Sequence, residues 1–139
     1  MKLSDELYVL VLPMALGGQV RHIHLLLLLD EQQGATLIDT GIPGSADLVE
    51  EALAEAGLRV EALRRILITH QDIDHVGSLH DLVQRSGARV LAHEAEVPYV
   101  DGSLRPVKFP SPAILAYRYS RSAKRQVPHH VQANVLRYA

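Results

Sequence analysis

Cysteine is absent from the 139 residues. That excludes disulfide staples and thiolate ligands, so any metal the chain holds must be bound by histidine and carboxylate. Tryptophan is absent as well, and five tyrosines and one phenylalanine are the whole aromatic supply. The core must therefore be aliphatic. No long apolar run exists: the longest, Leu25 to Leu29, is far short of the ~20 residues of a membrane-spanning helix. The start, MKLSDELYVL, carries acids before its apolar residues and no small-residue cleavage site, unlike a secretory signal. A formal net charge of −2 gives no global attraction to nucleic acid or anionic lipid. The local exception is Arg118, Arg121, Lys124 and Arg125, which reads as the solvated face of a helix. These absences point to a soluble cytoplasmic protein with no membrane partner.

What remains is an ordinary globular composition, 47% apolar and 22% charged. Residues 1–139 are a one-domain length, and a chain of this size can bury roughly 68–70% of its unfolded surface. Residues 7–14, 20–29 and 35–39 read as successive antiparallel strands, with turns at Gly17-Gly18 and Asp30–Gly34. Strand–helix alternation follows. Pro43 or Ser45 is placed to open a helix in which Leu48, Val49, Ala52, Leu53 and Ala56 recur at helical spacing, and Gly57 stops it. The next strand is Arg64–Thr69, apolar on both faces at Ile66-Leu67-Ile68 and so expected inside the sheet. Val76, Leu79, Leu82 and Val83 then mark a second helix ending at Gly87, followed by the strand ARVLAH. Further on, a helix over about 113–124 and a strand from Val131 are expected. No internal repeat is visible.

The segment LITHQDIDHVGSL, residues 67–79, gathers His70, Asp72, Asp74 and His75 between a buried strand and a helix. The carboxyl edge of an open α/β sheet is where ligands bind. Alternate residues of an extended loop project the same way, so His70, Asp72 and Asp74 can converge. Imidazole and carboxylate suit zinc and other divalent first-row ions. Each residue also has an ordinary reading. Asp74 is a competent helix N-cap with His75 in the first turn, His70 a surface histidine, and Asp72 a loop aspartate.

THQDIDH resembles the T-H-x-H-x-D-H signature of the metallo-β-lactamase-fold hydrolases, and TLIDTG, Thr36 to Gly41, resembles their upstream aspartate motif. VLAHEAEVPYVDG is similar to the segment that follows in the lactonase- and glyoxalase II-like branches. The resemblance covers roughly residues 7–102. It implies an α/β fold, the N-terminal half of an αββα sandwich, with a mixed sheet and flanking helices. By position it implies that His70 and Asp72 hold a first metal and that Asp74 and His75 hold a second. Asp39 would stand behind the ligands as an acceptor that orients an imidazole.

Asp72 stands where the signature usually has histidine, which makes that end harder and more anionic, so manganese or iron joins zinc as a candidate. The family's later ligands have no counterpart, and no HTPGH-like stretch is present. His93, at the end of ARVLAH, and His129 and His130 near the terminus are the candidates to complete the ligand set; His22 and His24 share a strand face where the family has no ligands. Half a sandwich would also leave one apolar sheet face open. Either the chain pairs with something, most simply as a homodimer, or it is a piece of a longer chain, truncated at the C-terminus. The resemblance implies hydrolysis of a small-molecule ester, lactone or thioester by a water that one or two divalent ions activate, with Asp74 orienting it. The competing reading is a non-catalytic truncated relative that dimerises and binds metal weakly or not at all.

Overall fold

The computed structural model describes residues 1–16, 18–105, 107–108 and 134–136. The expected helix over 113–124, its cluster Arg118, Arg121, Lys124 and Arg125, and His129 and His130 lie outside these residues.

The sequence pattern of a hairpin followed by strand–helix units builds a six-stranded mixed sheet. Its strands are β1 (Leu7–Leu16), β2 (Gln19–Asp30), β3 (Gly34–Ile38), β4 (Leu63–Ile68), β5 (Arg89–His93) and β6 (Asn134–Leu136), in that spatial order. The β1–β2 and β2–β3 pairs are antiparallel, and the β3–β4, β4–β5 and β5–β6 pairs are parallel. The first two strands extend past the expected ends at 14 and 29, because Leu16 pairs with Gln19 and Asp30 pairs with Gly34.

Helix α1 (Ala46–Glu55) joins β3 to β4; Ser45 stands at its N-cap position, and Gly57 leaves it at φ +81°. After β4 come α2 (Ile73–Val76), α3 (Leu79–Ser86) and, past β5, α4 (Val97–Val100). Two expectations are corrected here. The single helix after the histidine loop is two, broken at Ser78, whose φ of −105° and ψ of 12° leave the helical region. Its hydroxyl bridges the other loop of the site, donating to the Ile42 carbonyl (2.7 Å) and accepting the Ser45 N–H (2.8 Å). The N-cap position of α2 is Asp72, not Asp74, and no side chain caps it. The residues expected to face the core all do: Val76, Leu79, Leu82 and Val83 are buried.

Strand alternation sorts the sheet into two unlike faces. Leu10, Leu12, Leu25, Leu27, Leu37, Ile66, Ile68, Val90 and Ala92 are buried in one cluster with Val49, Leu53, Leu79 and Leu82 of the helices. Helix α1 packs on β1 and α3 on β4. Parallel crossovers of one hand, made in one direction, put their helices on one side of a sheet. The opposite face carries the cross-strand row Val9, Leu26, Ile38, Leu67 and Leu91. Leu26 and its neighbours Val11 and Leu28 are 37–40% exposed, so this apolar face is open among the described residues, as expected for half a sandwich.

Candidate metal centre

Two loops meet at the carboxyl edge of the parallel strands, one after β3 and one after β4. The Asp39 N–H continues the ladder to the Leu67 carbonyl (2.8 Å). Beyond it the His75 carbonyl accepts both the Thr40 N–H (2.8 Å) and the Thr40 hydroxyl (2.7 Å), and the Gly77 N–H donates to the Gly41 carbonyl (2.9 Å). Thr40 and Ser78 are buried, so these bonds are shielded from competing water. Gly77 is required by space, since a Cβ there would lie 2.3 Å from the Pro43 nitrogen and 2.4 Å from the Ile42 carbonyl carbon. The loop from β4 is also held at Gln71, whose N–H donates to Glu96 Oε2 (2.9 Å).

This clamp holds Asp39 in the left-handed region, φ +64°, where aspartate is among the few side chains tolerated. The turn aims its buried carboxylate at the β4 loop. Oδ1 accepts the Thr69 N–H (2.9 Å), Oδ2 accepts the Thr69 hydroxyl (2.8 Å), and Oδ2 also faces His75 Nδ1 at 2.8 Å. A carboxylate can only accept, so His75 carries its proton on Nδ1 and presents an Nε2 lone pair. Thr69 spends its one proton on Asp39, so at 3.0 Å it accepts from His70 Nδ1. His70 is thus fixed in the same tautomer at one remove. Anchoring of this kind orients histidine ligands and raises their basicity.

The two Nε2 atoms each face a carboxylate: His70 Nε2 lies 3.3 Å from Asp72 Oδ2, and His75 Nε2 lies 3.5 Å from Asp74 Oδ2. The imidazole centroids are 3.8 Å apart. A proton on Nε2 or a cation between the two atoms makes such an approach attractive. Two ligands about 2.1 Å from a tetrahedral ion are about 3.4 Å apart, so each pair has the span of one edge of a coordination tetrahedron. The donors fit a divalent ion in chemistry and in spacing, but as two separate pairs. Among the described residues, no three His, Asp or Glu side chains gather to hold one ion. His93 ends β5 at the same edge, exposed, with Nδ1 accepting the Ala95 N–H (3.2 Å). His22 and His24 lie on β2, exposed on the open face.

Lys108 is the feature no sequence pattern signals. Its Nζ lies 2.5 Å from Asp72 Oδ2. The hydrogen bond and charge of that ammonium hold the Asp72 carboxyl below the usual carboxylate range and push Lys108 above its own. Thr69 lay inside the conspicuous segment, yet its identity as the relay between Asp39 and His70 depends on the β3–β4 register.

The sequence profile described as the metallo-beta-lactamase superfamily matches residues 21–132. The probable metallo-hydrolase YflN of Bacillus subtilis is 33% identical over 85 residues, 60% of this chain and 32% of that protein. The hydroxyacylglutathione hydrolase of Shewanella pealeana is 31% identical over 77 residues, 55% of this chain and 27% of that enzyme. Among solved structures, BJP-1, a subclass B3 metallo-beta-lactamase of Bradyrhizobium japonicum, superposes with a TM-score of 0.62 at 26% identity, covering 76% of this chain and 37% of that one. The chain spans about a third of the length of the relatives it matches.

Proposed function

The chain belongs to the metallo-beta-lactamase superfamily, and on that premise we propose that it forms part of a metal-dependent hydrolase that cleaves an ester, lactone or thioester. The observation that supports this reading is the pair of imidazoles locked through Asp39 and Thr69, each with Nε2 toward a carboxylate. His70 and Asp72 would hold one ion, and Asp74 and His75 a second. Zinc is the leading candidate, with manganese or iron admitted by the harder Asp72 end. A bound divalent ion supplies the Lewis acidity that activates water near neutral pH and polarises a scissile carbonyl. Asp39 and Thr69 fix the Nδ1 side of the imidazoles, so that Nε2 is the atom turned toward the ion. Asp74, whose side chain is 52% exposed at the mouth, accepts a proton from the attacking water and orients it. The acyl class rests on the relative named hydroxyacylglutathione hydrolase and on the likeness to lactonase-type segments.

The competing reading is a non-catalytic relative, favoured by the absence of a three-donor group among the described residues. The open apolar face supports a homodimer, and the absence of cysteine suits the reducing cytoplasm. Among the described residues no helix is long and apolar enough to cross a membrane.

Elemental analysis and a panel of esters, lactones and thioesters separate the readings. The hydrolase reading expects a bound divalent ion, reduced in His70→Ala and His75→Ala. It also expects metal-dependent turnover that vanishes in Asp74→Asn. Metal uptake without turnover on any substrate leaves the non-catalytic reading. A chain that takes up no zinc or manganese would refute the metal centre.

A further inference from the structure

Lys108 reaches the same Asp72 Oδ2 that faces His70 Nε2. We propose that Lys108 is a built-in counter-cation that closes the Asp72 end of the metal-free site until an arriving divalent ion displaces it. This inference rests on the metal centre proposed above.

The approach is delivered by the fold. Gln71 is held on both sides: its N–H donates to Glu96 Oε2, and its side-chain oxygen accepts the Val107 N–H at 2.9 Å. The second bond pins the backbone one residue before Lys108 beside the loop that carries Asp72. A flexible four-carbon stem then carries a compact charge onto the carboxylate. The Asp72 side chain is only 16% exposed while that of Lys108 is 65% exposed. The anion is thus sheltered and fixed, and the cation can swing into solvent at small cost. Lys108 also lies within electrostatic reach of Asp74, so it partly neutralises both carboxylates.

An ammonium on Asp72 Oδ2 repels a divalent ion that approaches the same oxygen and takes up part of the charge the ion would neutralise. Lys108 therefore lowers affinity for the ion and lowers the cost of leaving the site empty. A lysine that merely decorated the surface would do neither.

The test is the zinc and manganese affinity of the 139-residue chain, measured by competition with a chromophoric chelator. Lys108→Ala should bind about two- to fivefold tighter, the range an exposed ion pair gives up, whereas Lys108→Arg should stay near the parent. In an Asp72→Asn background the Lys108→Ala gain should shrink to the smaller part that acts through Asp74, whereas a general charge effect on the site would leave it undiminished. With lysines carrying 13C-methyl labels, the Lys108 signal should move toward that of a free lysine as zinc is added. Unchanged or weaker binding by Lys108→Ala, or a gain undiminished without the Asp72 charge, would overturn the role of Lys108 and leave the metal centre standing. If neither parent nor variant takes up metal, the centre itself is refuted, and this role with it.

Discussion

Asp39→Asn isolates the electrostatic work of one oxygen. Asparagine keeps the size and tolerates the φ of +64°, so the turn survives; alanine there would add backbone strain and confuse the result. The new amide keeps one acceptor for the Thr69 N–H and hydroxyl but turns a donor toward His75 Nδ1, now 2.8 Å from Oδ2. His75 can accept that bond only with its proton moved to Nε2, the atom that should hold the ion. Replacing an anchor of this type lowers metal affinity about 10- to 100-fold. The variant also loses charge-assisted bonds of about 1.5–3 kcal/mol gross. With a retained neutral bond, the net cost should be about 1–2 kcal/mol, or roughly 3–8 °C in Tm for this size. Chelator competition reads the affinity, 15N spectra of the histidine ring read the tautomer, and thermal unfolding reads the stability. A variant that loses stability but binds zinc like the parent, with His75 still protonated at Nδ1, would refute the orienting role of Asp39.

Adjacent leucines of β2 should part company: Leu27→Ala, from a fully buried side chain, should cost about 2–5 kcal/mol, whereas Leu28→Ala, 40% exposed, should cost about 1 kcal/mol or less. Equal losses in urea unfolding at low protein concentration would contradict the assignment of faces. Gly77→Ala should lose about 3 kcal/mol or fail to fold, because its Cβ would meet the backbone of Ile42 and Pro43; near-parent stability would mean that the loops are not so closely clamped. If the open face pairs, light scattering at micromolar concentration should report a dimer, and Leu26→Lys should shift it to monomer. A parent chain that is already monomeric would count against pairing.

The sequence by itself determined the succession of the first five strands, the helix between β3 and β4, the buried residues of the segment after the histidine loop, and the place of that loop. These follow from local patterns: apolar runs bounded by turns in β1 to β3, helical spacing in α1, and glycines at the stops; five consecutive leucines in β2 do not say which of them are buried. Ile66, Leu67 and Ile68 announced an internal strand because apolar side chains on both faces are the pattern of a strand flanked by other strands in a parallel sheet. The resemblance also implies Asp39 behind the imidazoles; in the fold its Oδ2 lies 2.8 Å from His75 Nδ1. Only the tertiary structure decided the rest. Thr69 became a relay, and Ser78 broke a helix to bridge two loops, through bonds spanning 30 to 36 residues that exist only once β3 and β4 are in register. Asp72 rather than Asp74 took the helix start because the Thr40–His75 and Gly41–Gly77 bonds set where the second loop turns. Lys108, 36 residues past Asp72, reached it through a hydrogen bond to Gln71 that nothing in its own neighbourhood foretells. Helical spacing sets which side of a helix is buried, but which leucines of β2 are buried and which charges meet depend on how distant segments are stitched together, and the stitching belongs to the fold.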